Sequence, residues 1–177
     1  MSILKVARMG HPVLRKRARA LDRADLKSSA VQRLIDDMIE TMSEYHGIGL
    51  AAPQVHEGVR IFIAGMQDAA ADDEEEPGIV PVPFVNPEIV PIGNEKETDW
   101  EGCLSIPDVR GRVPRYTRVR IRGLDREGAR QELQLAGFQA RVVQHENDHL
   151  DGVLFFDRMP SLETLTFLDE YGKYWRD

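Results

Sequence analysis

Five consecutive residues carry the strongest chemical signal in the chain: His145-Glu146-Asn147-Asp148-His149, an H-E-x-x-H pattern. On a helix, positions four apart face the same way, so His145 and His149 can present both imidazoles to one metal ion. Glu146 stands one residue along, near enough to handle a water proton without being a ligand. The bland alternative is a pair of polar residues on a solvated helix, and neighbouring Val142 and Leu150 weigh against it. A catalytic site of this type needs a third protein ligand and an open position. Glu163 or Glu170 would supply the ligand in a metalloprotease arrangement. Cys103, the only cysteine, is the other candidate, set in Trp100-Glu101-Gly102-Cys103-Leu104-Ser105-Ile106-Pro107. A lone cysteine is commonly a small buried hydrophobe, but Gly102 permits close backbone approach and Pro107 marks a turn. A third segment, Gly47-Ile48-Gly49-Leu50-Ala51-Ala52-Pro53-Gln54-Val55, has a backbone with little side-chain cover. Its Gln54 could donate a hydrogen bond to a developing oxyanion.

These groups must be held by regular elements. Val31, Leu34, Ile35, Met38, Ile39 and Met42 recur at three-and-four spacing and predict a helix over 29–46, with Ser29 and Gln32 as a capping box and Gly47 at its end. A second helix is expected over about 138–150, carrying Phe138, Val142, His145 and His149 on one face, and a third near 161–171 with Leu162, Leu165, Leu168 and Tyr171. Strand-like runs occupy 60–65, 82–90, 117–125 and 132–137. Between Arg118 and Arg122, arginine alternates with Val119 and Ile121, the period of a half-buried strand. The expected fold class is α+β, with mostly antiparallel strands around a central metal-binding helix that carries H-E-x-x-H.

The 177 residues suit a single catalytic domain over 1–177, large enough to need no disulfide or structural metal. No apolar run is long enough for a membrane span, and the start lacks the pattern of a secretory signal, so a cytoplasmic location is expected. Of the net charge of −7, six acids fall within 68–76, so an acidic loop over 68–77 is expected and the rest is near neutral. Seven Lys or Arg stand against one Asp in the first 23 residues, and Arg110, Arg112, Arg115, Arg118, Arg120 and Arg122 follow closely. They read as a solvated face. No aromatic or glycine pattern of an RNA-binding module accompanies them, so no specific nucleic-acid partner is expected.

GIGLAAPQV, EGCLS and QHENDHLDG occur in that order, and together they resemble the peptide deformylase family. VLRKRA, DMIETM, FVNPEI, RGRVPR and LFFDR extend the resemblance over nearly all of residues 3–159. It implies one divalent metal held by Cys103, His145 and His149, with ferrous iron favoured and zinc, nickel or cobalt compatible. Glu146 would be the acid-base residue, and Gln54 with the Leu104 backbone N–H the oxyanion donors. The implied substrate is the N-formyl-methionine end of a nascent polypeptide, with a transient ribosome contact. It would pair as an extended chain with the backbone at Gly49, and Ile48, Phe138 and Val142 would form its apolar pocket. The non-enzymatic alternative is a binding module with a closed, structural metal site. One departure from the family stands out: His56-Glu57-Gly58 follows Val55 where a Gly-Val pair is expected.

Overall fold

The computed structural model describes residues 2–67 and 78–176; the acidic 68–77 segment lies outside the described residues. A short helix α1 (Arg23–Lys27) leads into α2 (Ser29–Glu44). Ser28, rather than Ser29, caps α2, its hydroxyl accepting from the Val31 N–H at 3.3 Å. The spacing of apolar residues located this helix, but serine one position earlier has the extended backbone a cap requires.

Two antiparallel sheets build the rest. The larger has the order β1 (Gly49–Ala51), β2 (Ile61–Gln67), β3 (Ile79–Pro91), β6 (Arg118–Leu124), β7 (Arg130–Ala136). The smaller consists of β4 (Lys96–Cys103), β5 (Ile106–Tyr116) and β8 (Thr166–Phe167). Helix α3 (Gly137–Leu150) follows β7 directly, so the α+β expectation holds with α3 at the centre. Strand β2 explains why. Its residues Ile61 to Met66 are all buried and alternate between two cores: Phe62 and Ala64 pack with Ala140, Val143 and Leu150 of α3, whereas Ile61 and Ile63 pack with Ile35 and Met38 of α2. The period-two geometry of one strand thus welds a helix to each face of the sheet. A third core, with Leu14, Val113 and Phe155, lies under the small sheet and includes Cys103.

β4 and β5 lie outside the runs expected from sequence, and the third helix differs. Residues 161–165 form turns, Thr166–Phe167 pair with Val109 and Arg110 of β5, and α4 spans only Leu168–Tyr174. The apolar spacing is helical, but Ser161 and Thr164 divert the backbone: the Ser161 hydroxyl accepts from the Glu163 N–H, and Thr164 accepts from the Arg112 N–H at 3.2 Å. After Val55, His56 adopts φ +69°, the left-handed region that glycine occupies without strain, so the departure at this position keeps the turn at some conformational cost. Among the described residues, no helix is long and apolar enough to cross a membrane.

Candidate active site

Helix α3 presents His145 and His149 on one face, their ring centroids 5.0 Å apart. Glu101 and Cys103, two apart at the end of β4, share its inward face, which delivers the sulfur to the same place. One ligand atom from each of Cys103, His145 and His149 lies within 4.8 Å of the others, with Sγ 3.3 Å from His149 Nε2. A thiolate and two imidazoles gathered at this spacing fit a single divalent ion. Burial pushes the Cys103 thiol up, but the two imidazoles outweigh it and hold the group well below the ordinary thiol range.

Behind the ligands stands a buried ionic network that the sequence reading did not include. Glu101 Oε2 lies 2.9 Å from His145 Nδ1, which fixes the ring and leaves Nε2 for the site interior. The other side of Glu101 takes the Arg115 and Arg141 guanidiniums, each at 2.9 Å through Oε1. Arg115 continues to Asp148 at 2.6 Å, and Asp148 to Arg158 at 2.7 Å. Burial raises the Glu101 carboxyl, yet His145 and Arg115 bring it down to about 2. The reading of Arg115 as part of a solvated face is therefore corrected: it is 5% exposed and joins the strand to α3. Arg112, Arg118 and Arg122 are exposed, as expected.

Glu146 is buried, and desolvation raises its carboxyl to about 7. Its side chain fits because β1 has glycine opposite: a Cβ on Gly49 would stand 2.3 Å from Glu146 Oε1. Glu146 Oε2 and His149 Nδ1 are buried without a hydrogen-bond partner. Gln54 is held by the short 3-10 turn Ala52–Val55. Its Oε1 accepts from the Ala51 N–H at 2.8 Å, which directs its amide group toward Ser105 Oγ at 3.3 Å and Cys103 Sγ at 3.5 Å.

These groups open on a cavity of about 740 Å³ lined by Ile48, Gly49, Gln54, Cys103, Leu104 and Glu146, among others. Phe138 and Val142 line it as well. Phe138 is 62% exposed, whereas Val142 is buried and shared with the core on that side of the sheet. Glu163 and Glu170 stay apart from the cluster; Glu163 is exposed beside Ser161, and Glu170 pairs with Lys173 at 2.8 Å. The histidine, cysteine and glutamine positions were legible as motifs. Glu101 and Asp148 also sat inside those motifs, two residues before the cysteine and one before the second histidine, but offered no spacing rule that would single them out.

The family model for polypeptide deformylase matches residues 3–165. Peptide deformylase 1 of Prochlorococcus marinus is 41% identical over 170 residues, covering 96% of this chain and 88% of that protein. Peptide deformylase of Salinibacter ruber is 46% identical over 162 residues, covering 90% and 82%. A crystal structure of class I type b peptide deformylase from Acinetobacter baumannii with Met-Ala-Ser bound superposes with a TM-score of 0.80 at 38% identity, covering 89% of this chain and all of that one. A match over nearly the whole chain, in sequence and in fold alike, means that this chain belongs to the polypeptide deformylase family, metal-dependent hydrolases that remove the N-formyl group from newly made polypeptides.

Proposed function

We propose that Cys103, His145 and His149 hold the catalytic ion of this deformylase, and that Glu146, Gln54 and the Leu104 backbone N–H act on the formyl group beside it. The observation that carries this reading is the convergence of three ligand atoms, two of them from residues, Cys103 and His145, that line an open cavity rather than a closed cage. A closed structural site would leave no path for a substrate. Against a Glu163 or Glu170 ligand stands their absence from this cluster.

The ion, when bound, acidifies a water and polarises the formyl oxygen. Glu146 takes the proton as water attacks the formyl carbon, and returns it to the departing amine, so formate and a free methionine amine leave together. Gln54, its carboxamide locked by the Ala51 N–H, donates to the oxygen that gains charge in between. The Leu104 N–H is assigned the same task. β1 is an edge strand of the large sheet, and its outer side carries Gly49 into the cavity. An extended peptide can add there as a further strand, held by backbone bonds that read no sequence. Ile48, Phe138 and Val142 form the apolar surface for the methionine side chain.

The ion we assign is ferrous iron; zinc, nickel and cobalt suit the same donors, and metal analysis of protein purified without oxygen reads which is bound. The same reading places the enzyme in the cytoplasm, where formylated chains emerge, with a transient ribosome contact tested by cosedimentation. The deciding experiment measures formate release from formyl-Met-Ala. Glu146→Ala should keep its metal and lose about a hundred- to ten-thousand-fold in rate, since it moves protons and is no ligand. A metal-free variant would reject that role.

A further inference from the structure

Ser105, two residues after Cys103, is fully buried, and nothing in the deformylation chemistry above gives it a task. A hydroxyl taken out of water needs a hydrogen-bond partner. Among the described residues that partner is Gln54, whose amide nitrogen donates to Ser105 Oγ at 3.3 Å and also stands 3.5 Å from Cys103 Sγ. The contact is set from both ends by one segment near the start of the chain. The Ala7 N–H donates to the Gln54 carbonyl at 2.7 Å, and the Met9 N–H to the Ser105 carbonyl at 2.8 Å. Residues 7–9 thus tie the Ala52–Val55 turn to the turn that follows β4. Ala7 is itself buried, in the same core as Cys103.

A carboxamide presents one acceptor oxygen and two N–H groups. The Ala51 N–H occupies the Gln54 oxygen and Ser105 takes one N–H, which leaves the second on the side of the Cys103 sulfur. The last torsion of a glutamine is broad, so one contact alone leaves the amide plane free to turn; two contacts fix it. We propose that Ser105 is a positioning residue: by accepting one N–H of Gln54 it sets the amide plane and aims the other N–H at the formyl oxygen as charge develops there. This rests on the deformylase reading of the cavity. A donor already aimed needs no reorganisation when the charge appears, whereas a loose amide has to be ordered during the reaction. The competing task is structural: Ser105 would only satisfy a buried amide, and its loss would weaken the fold whatever Gln54 does in the reaction.

A double-mutant cycle separates the two tasks, with formate release from formyl-Met-Ala measured for the intact enzyme, Ser105→Ala, Gln54→Ala and the pair. Rates are taken per bound metal ion, so that an unfolded fraction does not count. Ser105→Ala should lower kcat about ten-fold and leave KM unchanged, because only the developing charge feels the loss of aim. Gln54→Ala should cost about a hundred- to a thousand-fold. Once Gln54 is alanine, removing the hydroxyl should cost nothing more, since no amide is left to aim. An equal loss in both backgrounds, a raised KM at unchanged kcat, or a Ser105→Ala rate equal to that of the intact enzyme overturns the proposal. If the intact enzyme, fully metal-loaded, releases no formate, the deformylase reading of the cavity fails and the role of Ser105 with it.

Discussion

Glu101 is the residue on which the site's rigidity turns. It receives His145 on one side and two arginines on the other, all nearly buried, so the imidazole that would face the ion is braced through a single carboxylate. Groups that orient a ligand in this way typically change metal affinity by about ten- to a hundred-fold when altered. Glu101→Gln should therefore bind metal about that much more weakly in a chelator competition. It should also lower stability by on the order of 3 kcal/mol, because Arg115 and Arg141 lose their shared counter-charge in the interior. Wild-type metal affinity in this variant would show that His145 is positioned by α3 alone. A second residue-scale prediction concerns Gly49. A methyl group there collides with Glu146 Oε1, so Gly49→Ala should lower kcat while metal content is preserved, as the carboxylate is displaced from its place beside β1.

Elements differ in how openly their sequences declare them. α2 and α3 showed their apolar stripes, and β2, β3 and β6 their runs of branched residues, because each buries a face against a large core; β7, which buries only Leu135, showed a shorter alternation of Leu133 and Leu135 with polar residues. β4, with Lys96-Glu97-Thr98-Asp99 at its start, is mostly exposed and pairs only within the small sheet, so its pattern resembles a loop. Arg115 was legible in retrospect. It shares the inward phase of β5 with Gly111 and Val113, whereas Arg118 and Arg122 occupy the outward phase of β6. Type suggested solvent; phase demanded burial, which only Glu101 and Asp148, brought from β4 and α3, make tolerable. The misplacement of α4 has the converse cause, since helical spacing at Leu162 and Leu165 was overridden by pairing with β5. At this scale Ser28 offers a clean test. It closes α1 and caps α2, so Ser28→Ala should cost about 1 kcal/mol and lower Tm by about 2–4 °C in a thermal melt.

For the whole molecule, the site is assembled from parts that are distant in sequence: the sulfur comes from the small sheet, the imidazoles from the helix packed on the large one. A bound ion would clasp the two sheets together, and stripping it should lower Tm, with the loss approaching about 2.7 kcal/mol of stability at a free metal concentration one hundred times Kd. Acid should loosen a second fastening. Asp157, in the turn after α3, pairs with Arg15 near the start of the chain. Its partial burial acts to raise the carboxyl, but Arg15 and the Leu154 N–H outweigh this and hold it below the ordinary 3.8. A carboxyl depressed on folding stabilises the fold above its unfolded value, and the effect fades as pH falls through the folded one. Asp157→Asn should thus melt below the wild type at pH 6, and the two curves should converge as pH falls below the ordinary carboxyl range; a constant gap would assign the cost to lost packing.

β1 has only three residues, Gly49 to Ala51, and one of its edges is already committed to β2. A peptide laid on the other edge can gain few backbone hydrogen bonds, each contributing about 1 kcal/mol net. If substrate docks there as proposed, so short a strip sets a short residence time, and dissociation rather than encounter is where such affinity is tuned. An enzyme that must handle every formylated chain gains from letting each one go quickly, and the same brevity leaves a foreign strand too little edge to nucleate aggregation.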